Sequence, residues 1–387
     1  MCCSPGLGKG GTRSLWPSGQ WEIWPHSPKA AHSLRAVKGR TELTKEELEA
    51  VVGGLSSGFG WDLTWNELTV ERVWMTPRAG NRFALMNARD GADQIVIKHL
   101  GARTGGQAGL DPARPSTLAA RMDDLADLLE KRCPLEAHSP KSLGWLEEPP
   151  VVAAIFIEGT ELAKVLRQPD HPSWESPAVI RSWMKSAGAA LAVFHDYGPT
   201  GSRSEADAIA DLARTLSRYG LSPGRKASLL DYATGPGVLV PRFRDFASSN
   251  LLGQPDGRVV VLDPPVDLEL AARHRDIANF LFNVQRNLAG FNPAARHAPD
   301  PARGKPVRHD FLAGYESQSG FEVEAGRGGA LLAMYESVLA LAMARRIAAG
   351  HPGYKPGFRL RWDAVRWGTK VGLSCRAKVI RELRNNS

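Results

Sequence analysis

A chain of 387 residues that is 43% hydrophobic and 23% charged has enough apolar material for one large domain, or for two lobes sharing a cleft. Fibres, collagen and wholesale disorder are excluded. Its 49 Lys and Arg against 41 Asp and Glu would by themselves suit a polyanionic partner. The surplus sits at the ends: residues 1–40 carry +5 and residues 359–387 carry +6, leaving the 318 between them at −3.

Four cysteines (Cys2, Cys3, Cys133, Cys375) show neither a disulfide framework nor zinc-ligand spacing. No apolar run reaches the roughly 20 residues needed to span a bilayer, because Glu336 and Arg345-Arg346 interrupt the best candidate. The first thirty residues lack an apolar signal segment. A cytoplasmic protein is the expectation. Residues 1–45, rich in Gly, Ser, Pro and Trp at their start, read as a disordered or artefactual leader. Within it, Gly6 to Thr12 imitates a phosphate loop, but Gly10 follows Lys9 where a Ser or Thr is required.

From Leu68 the pattern predicts an antiparallel meander: strands at Leu68 to Met75, Arg82 to Asn87 and Gln94 to Leu100, the last two joined by an Arg89-Asp90-Gly91 turn. Leu118, Met122, Leu125 and Leu128 predict a helix over 115–131, followed by strands at 143–146 and 151–157. Helices dominate beyond Thr160. Ile180, Met184, Ala187, Leu191 and Phe194 make one apolar face ending at His195. A polar helical region spans 205–232, an irregular stretch runs from Pro241 to Asn250, and a hairpin turns at Pro255-Asp256-Gly257. Helices near 269–288, 327–349 and 361–385 close the chain. A small β-rich lobe followed by a larger helical one is the expected α+β layout.

The chemistry concentrates between residues 242 and 263. Asp245 and Asn250 lie five apart in the irregular stretch, and Asp263 ends the second hairpin strand. Pairing of those strands returns Asn250 and Asp263 to one end of the hairpin. A carboxylate for the acceptor's proton and two hard oxygen ligands for Mg²⁺ are what phosphoryl transfer needs.

This segment resembles the catalytic loop and metal-binding strand of the aminoglycoside-phosphotransferase-like small-molecule kinases. The resemblance implies a bilobal protein-kinase-like fold, with an N-lobe over 46–159 and a C-lobe over 160–387. It implies Asp245 as catalytic base and Asn250 and Asp263 as Mg²⁺ ligands. Ile95-Val96-Ile97-Lys98 resembles the strand whose lysine grips the α- and β-phosphates of ATP, and Phe156-Ile157-Glu158-Gly159 resembles the adenine-binding hinge. Gly80 stands in the phosphate-covering turn, while His195 and Asp276, in helices resembling the family's "LxxLH" and "YDLA" segments, are implied as structural supports. The likeness runs in order across residues 68–288 and continues at Phe311 to Tyr315.

The chain departs from the family in carrying Phe243 where His precedes the catalytic loop, Pro264-Pro265 after Asp263, and one glycine in the phosphate turn. Asp123, Asp124 and Glu130 are the helical candidates to pair with Lys98, and Glu316, Glu322, Glu324 and Glu336 are candidates for an acidic acceptor pocket. ATP, Mg²⁺ and a small-molecule hydroxyl are the expected partners, with sugars and amino sugars ranked above aminoglycosides. A nucleotide-binding pseudokinase is the alternative from another class. A third class, nucleic-acid or membrane-surface binding through the basic tail, ranks lower.

Overall fold

The computed structural model describes residues 43–59, 64–75, 81–88, 94–100, 115–168, 170–197, 204–266, 268–289, 301–349 and 358–385. The leader before residue 43, the Arg89-Asp90-Gly91 turn and Gly80 lie outside the described residues.

The first element among the described residues is a helix, α1 (Lys45–Phe59), absent from the sequence expectation. Thr44 and Glu47 form a reciprocal cap: the Thr44 N–H donates to the Glu47 carboxylate at 2.8 Å, and the Glu47 N–H donates to Thr44 Oγ1 at 3.2 Å. Leu43 before the cap is already buried, so packed chain begins ahead of the expected boundary at residue 46. Leu48, Val51, Val52 and Leu55 cover one face of the sheet that follows.

That sheet contains β1 (Leu68–Met75), β2 (Arg82–Ala88), β3 (Gln94–His99), β5 (Ser142–Leu146) and β6 (Val151–Ile155), in the order β1-β2-β3-β6-β5 and antiparallel throughout. Strand alternation sorts the faces. Ala84, Met86, Ile95, Ile97, Val151 and Ala153 pack with α1, whereas Val152 packs with Leu118 and Ala119 of α2 (Pro115–Arg132). Lys98 is the register partner of Val152 and of Phe83, which places it on the face opposite α1.

The remaining chain is mostly helical: α3 (Leu162–Arg167), α4 (Pro177–His195), α5 (Glu205–Arg218), α6 (Pro223–Ala233), α7 (Arg273–Ala289), α8 (Pro301–Ser319), α9 (Gly328–Ala348) and α10 (Phe358–Asn385). The polar region expected as one helical stretch is two helices, divided at Gly220, whose φ of 77° takes the left-handed conformation that ends α5's run. Helix α8 is an addition: Pro306 lies within it, and Val307, Phe311, Leu312 and Tyr315 form its buried face. Glycine permits α4 and α8 to cross closely, since a Cβ on Gly188 would stand 2.1 Å from the Phe311 carbonyl oxygen.

Short strands cradle the site. β4 (Ala137–His138), β10 (Val259–Val261), β9 (Leu251–Gly253) and β7 (Thr160–Glu161) form one sheet in that order, and β8 (Leu239–Pro241) pairs with β11 (Leu270–Ala272). Among the described residues, no helix is long and apolar enough to cross a membrane.

Candidate active site

The loop from Arg242 to Asn250 begins where β8 ends, and three groups hold its first residues. The Arg242 N–H donates to the Glu269 carbonyl at 2.7 Å, and the Phe243 N–H donates to Asp276 Oδ2 at 2.5 Å. The Phe243 ring, 1% exposed, packs edge-on against Phe194 and Phe246 at centroid distances of 4.7 and 5.2 Å. The aromatic side chain therefore fixes the loop by burial, while Asp276 holds its main chain.

Asp276 lies 2% exposed near the start of α7. Its Oδ2 stands 3.4 Å from His195 Nε2, and His195 Nδ1 stands 2.7 Å from the Tyr315 hydroxyl. Burial pushes the His195 pKa down, so the ring is neutral. A carboxylate only accepts, which places the proton on Nε2 and makes Nδ1 the acceptor of the Tyr315 O–H. His195 and Asp276 thus form a strut behind the loop, away from its exposed side.

Glu269 is a functional-site residue that sequence reasoning missed. Its carboxylate receives Arg244, and Arg242 Nη1 approaches it at 3.5 Å, so one acid holds the two arginines flanking Phe243. Ser248, Asn283 and Asn287 were missed as well. Ser248 donates through its N–H and Oγ to Asn283 Oδ1 at 3.1 and 2.5 Å, and Asn287 Nδ2 donates to Ser248 Oγ at 2.7 Å. These long-range amide contacts leave no periodic mark in a sequence.

Asp245 is exposed at the tip of the braced loop. Asn250 Nδ2 donates to the Asp245 main-chain carbonyl at 2.9 Å, which orients the amide and turns Oδ1 away from that bond. The Leu262 N–H donates to the Asn250 carbonyl at 2.9 Å, and Val261 pairs with Leu251. Asn250 and Asp263 consequently flank one rung of the β9–β10 hairpin. Asp263 has a φ of 52°, and it is the one non-glycine residue with positive φ among those described. A strained backbone held at an exposed carboxylate marks a place where side-chain direction matters.

Lys98 Nζ meets Asp263 Oδ1 at 2.6 Å, joining the five-stranded sheet to the hairpin of the helical part. None of the expected helical partners reaches Lys98. Asp123 accepts the Ser142 N–H at 2.7 Å, Asp124 pairs with Arg121 at 3.4 Å, and Glu130 pairs with Lys141 at 3.3 Å. Each is taken by a neighbour on α2, at the start of β5 or in the residue just before it.

After β6, residues 156–159 adopt no regular structure. The Phe156 N–H donates to the Gln94 carbonyl at 2.8 Å. The Glu158 carbonyl accepts from Gln254 Nε2 at 3.3 Å, while Trp183 Nε1 holds the Gln254 carbonyl at 2.7 Å. Ile157 lies between these two anchor points and is partly exposed.

Of the four glutamates considered for an acidic acceptor pocket, three are engaged by neighbours and Glu322 is exposed. Glu336 is 4% exposed and receives Arg308, which also donates to Glu324 at 3.0 Å. Glu316 accepts the Val323 N–H at 2.9 Å. Glu324 and Glu336 are the counter-charges of Arg308, whose side chain is 24% exposed.

The donor set suits a hard divalent cation. Among the described residues, no group of three or more His, Cys, Asp or Glu could hold a metal ion by itself. An exposed carboxylate at Asp263 and an oriented amide oxygen at Asn250 match the one or two protein ligands that Mg²⁺ takes when phosphates and water complete its shell.

No protein-family model and no curated protein matches the chain. Solved structures do. A choline kinase from Cryptosporidium parvum Iowa II aligns over 88% of this chain and 98% of its own, at 12% identity and a TM-score of 0.51. The fold is protein-kinase-like. An ethanolamine kinase from Plasmodium vivax (13% identity, 89% and 91% coverage, TM-score 0.47) and a macrolide 2′-phosphotransferase from Brachybacterium faecium (18%, 82% and 97%, 0.43) are also similar, but the fold assignment rests on the first.

Proposed function

We propose that this chain transfers the γ-phosphoryl group of ATP to a hydroxyl of a small molecule. The observation that carries this reading is the approach of Lys98 to Asp263 at 2.6 Å, beside a loop that presents Asp245 and orients Asn250. Residues 46–159 carry the nucleotide grip and residues 160–387 the loop, the metal ligands and the acceptor wall. Lys98 holds the α- and β-phosphates, and the main chain of Phe156, Ile157 and Glu158 borders the adenine. Gly80 is proposed as a further ATP-binding residue.

Asn250 and Asp263 would hold Mg²⁺, which supplies charge neutralisation at the β- and γ-phosphates. Asp245 orients the acceptor O–H and receives its proton. A new oxygen–phosphorus bond forms, the bond to the β-bridging oxygen breaks, and ADP departs with that electron pair. Positioning and charge neutralisation provide most of the acceleration.

A small acceptor is favoured because only six residues separate Asp263 from β11 at Leu270, too few for a segment that would seat a polypeptide. Sugars and amino sugars are the acceptor classes we propose. Amino alcohols, which the choline kinase's name brings in, belong beside them. Engagement of Glu324 and Glu336 by Arg308 leaves fewer free carboxylates for a polycationic aminoglycoside. The setting is the cytoplasm, where ATP is supplied.

The test is transfer of label from γ-labelled ATP to a panel of sugars, amino sugars, amino alcohols and aminoglycosides. Asp245→Asn should reduce transfer to the best acceptor at least about a hundredfold while MgATP binding persists. Nucleotide binding without any labelled product across the panel would favour the pseudokinase reading.

A further inference from the structure

The row of side chains around Lys98 offers a seat that no carboxylate of α2 provides. Besides Asp123, Asp124 and Glu130, the remaining acid of α2, Asp127, pairs with Lys141 at 2.8 Å. Register pairing instead sets Trp74, Phe83, Lys98, Val152 and Trp145 side by side across β1, β2, β3, β6 and β5. Trp74 and Phe83 stack with centroids 5.1 Å apart and planes within 6°. Lys98 Nζ lies over the Phe83 ring at 5.8 Å from its centroid, and the lysine side chain is only 16% exposed.

An ammonium on a four-carbon stem samples many rotamers unless something holds it. The face of an aromatic ring attracts it electrostatically without consuming it in an ion pair. A ring takes up none of the three N–H donors, one of which Asp263 Oδ1 receives at 2.6 Å, so the two remaining donors stay available to phosphate oxygens. Trp74, 8% exposed, backs the ring and limits its rotation.

We propose that Phe83, stacked on Trp74, is the positioning residue for Lys98 and stands in for a helix carboxylate, so that nucleotide grip is independent of the acids of α2. This inference rests on the nucleotide-binding reading of the cleft. It assigns Phe83 to the lysine rather than to the base of the nucleotide, which makes the two roles separable by ligand.

The experiment is calorimetric titration of the full chain with MgATP and with adenosine, on wild type, Phe83→Leu, Phe83→Tyr and a variant combining Asp124→Asn, Asp127→Asn and Glu130→Gln, with folding checked by thermal melting. Phe83→Leu should weaken MgATP binding about fivefold, the equivalent of roughly 1 kcal/mol for a cation over a ring, and leave adenosine affinity within about twofold. Phe83→Tyr and the triple variant should bind MgATP within about twofold of wild type.

Equal loss of adenosine and MgATP affinity in Phe83→Leu would overturn the proposal by placing Phe83 against the base. Unchanged MgATP binding in Phe83→Leu, or a comparable loss in the triple variant, would overturn it as well. In each of those results the wild type still binds MgATP. A wild type that binds no MgATP would instead overturn the nucleotide reading of the cleft, and this inference with it.

Discussion

Asp276 accepts the main-chain N–H of Phe243 at 2.5 Å, and this bond fixes the start of the Arg242–Asn250 loop independently of the side chain at position 243. A histidine is therefore dispensable there, and the Phe243 ring fills the space against Phe194 and Phe246. Truncation of Asp276 strands the Phe243 N–H and the His195 ring, both buried. Asp276→Ala should lower stability by about 3 kcal/mol, summing two unsatisfied groups at 1–3 kcal/mol each. Denaturant unfolding measures it, and a loss under about 1 kcal/mol would show that the loop is held by packing alone.

Lys98 and Asp263 can be separated from the stability of the fold. Because the Asp263 side chain is 54% exposed, its ion pair contributes at most about 1 kcal/mol. Lys98→Met should melt within a few degrees of wild type yet lose at least about tenfold in MgATP affinity. The φ of 52° at Asp263 adds a backbone test: Asp263→Gly should be more stable than Asp263→Ala by about 1 kcal/mol, because only glycine occupies that region without Cβ strain.

Much of this arrangement was legible in the sequence, for physical reasons that also mark the limit. β1, β2 and β3 emerge from apolar strand patterning with turn residues between them, and α4 from its three-and-four spacing. Asp245, Asn250 and Asp263 are readable because one short hairpin joins them. Thr44 and Glu47 signalled α1 through their cap spacing, but the flanking leader obscured it. Pro306 hid α8. Glu269 and the Ser248–Asn283–Asn287 cluster were hidden because they meet the loop across 25 to 39 residues of sequence, where local pattern carries no information. The pairing of Lys98 with Asp263 spans 165 residues, so the sequence offered only the α2 acids as candidates and left the partner open.

Two glycines in helices should respond oppositely to alanine. A Cβ at Gly188 would enter the Phe311 carbonyl at 2.1 Å and the Tyr315 nitrogen at 2.7 Å, so Gly188→Ala must force α4 and α8 apart at a cost of about 3 kcal/mol. At Gly53 of α1 a Cβ meets nothing within 4 Å, and Gly53→Ala should gain about 0.5–1 kcal/mol from helix propensity. Equilibrium unfolding of both variants distinguishes the crossing from a general intolerance of substitution.

Stability should fall with acid before the carboxylates titrate. Burial lowers the His274 pKa from 6.5 to about 4, and its Nε2 stands 3.0 Å from the Val323 carbonyl, so the folded state keeps this ring neutral. The unfolded chain gains the proton first as pH drops. The contribution is present above pH 6.5 and is lost progressively between pH 6.5 and about 4, by up to about 3 kcal/mol. His274→Gln should flatten the stability profile in that window. An unchanged slope would assign the acid sensitivity elsewhere.

The central claim is that Asp263 and Lys98 together receive a metal–nucleotide complex. Titration of a non-hydrolysable ATP analogue into wild type and Asp263→Asn, each with and without Mg²⁺, tests it most directly. The account predicts that Mg²⁺ strengthens binding at least about tenfold in wild type and that Asp263→Asn abolishes the enhancement while remaining folded. Binding that ignores Mg²⁺ in wild type, or an enhancement that survives in Asp263→Asn, would contradict it.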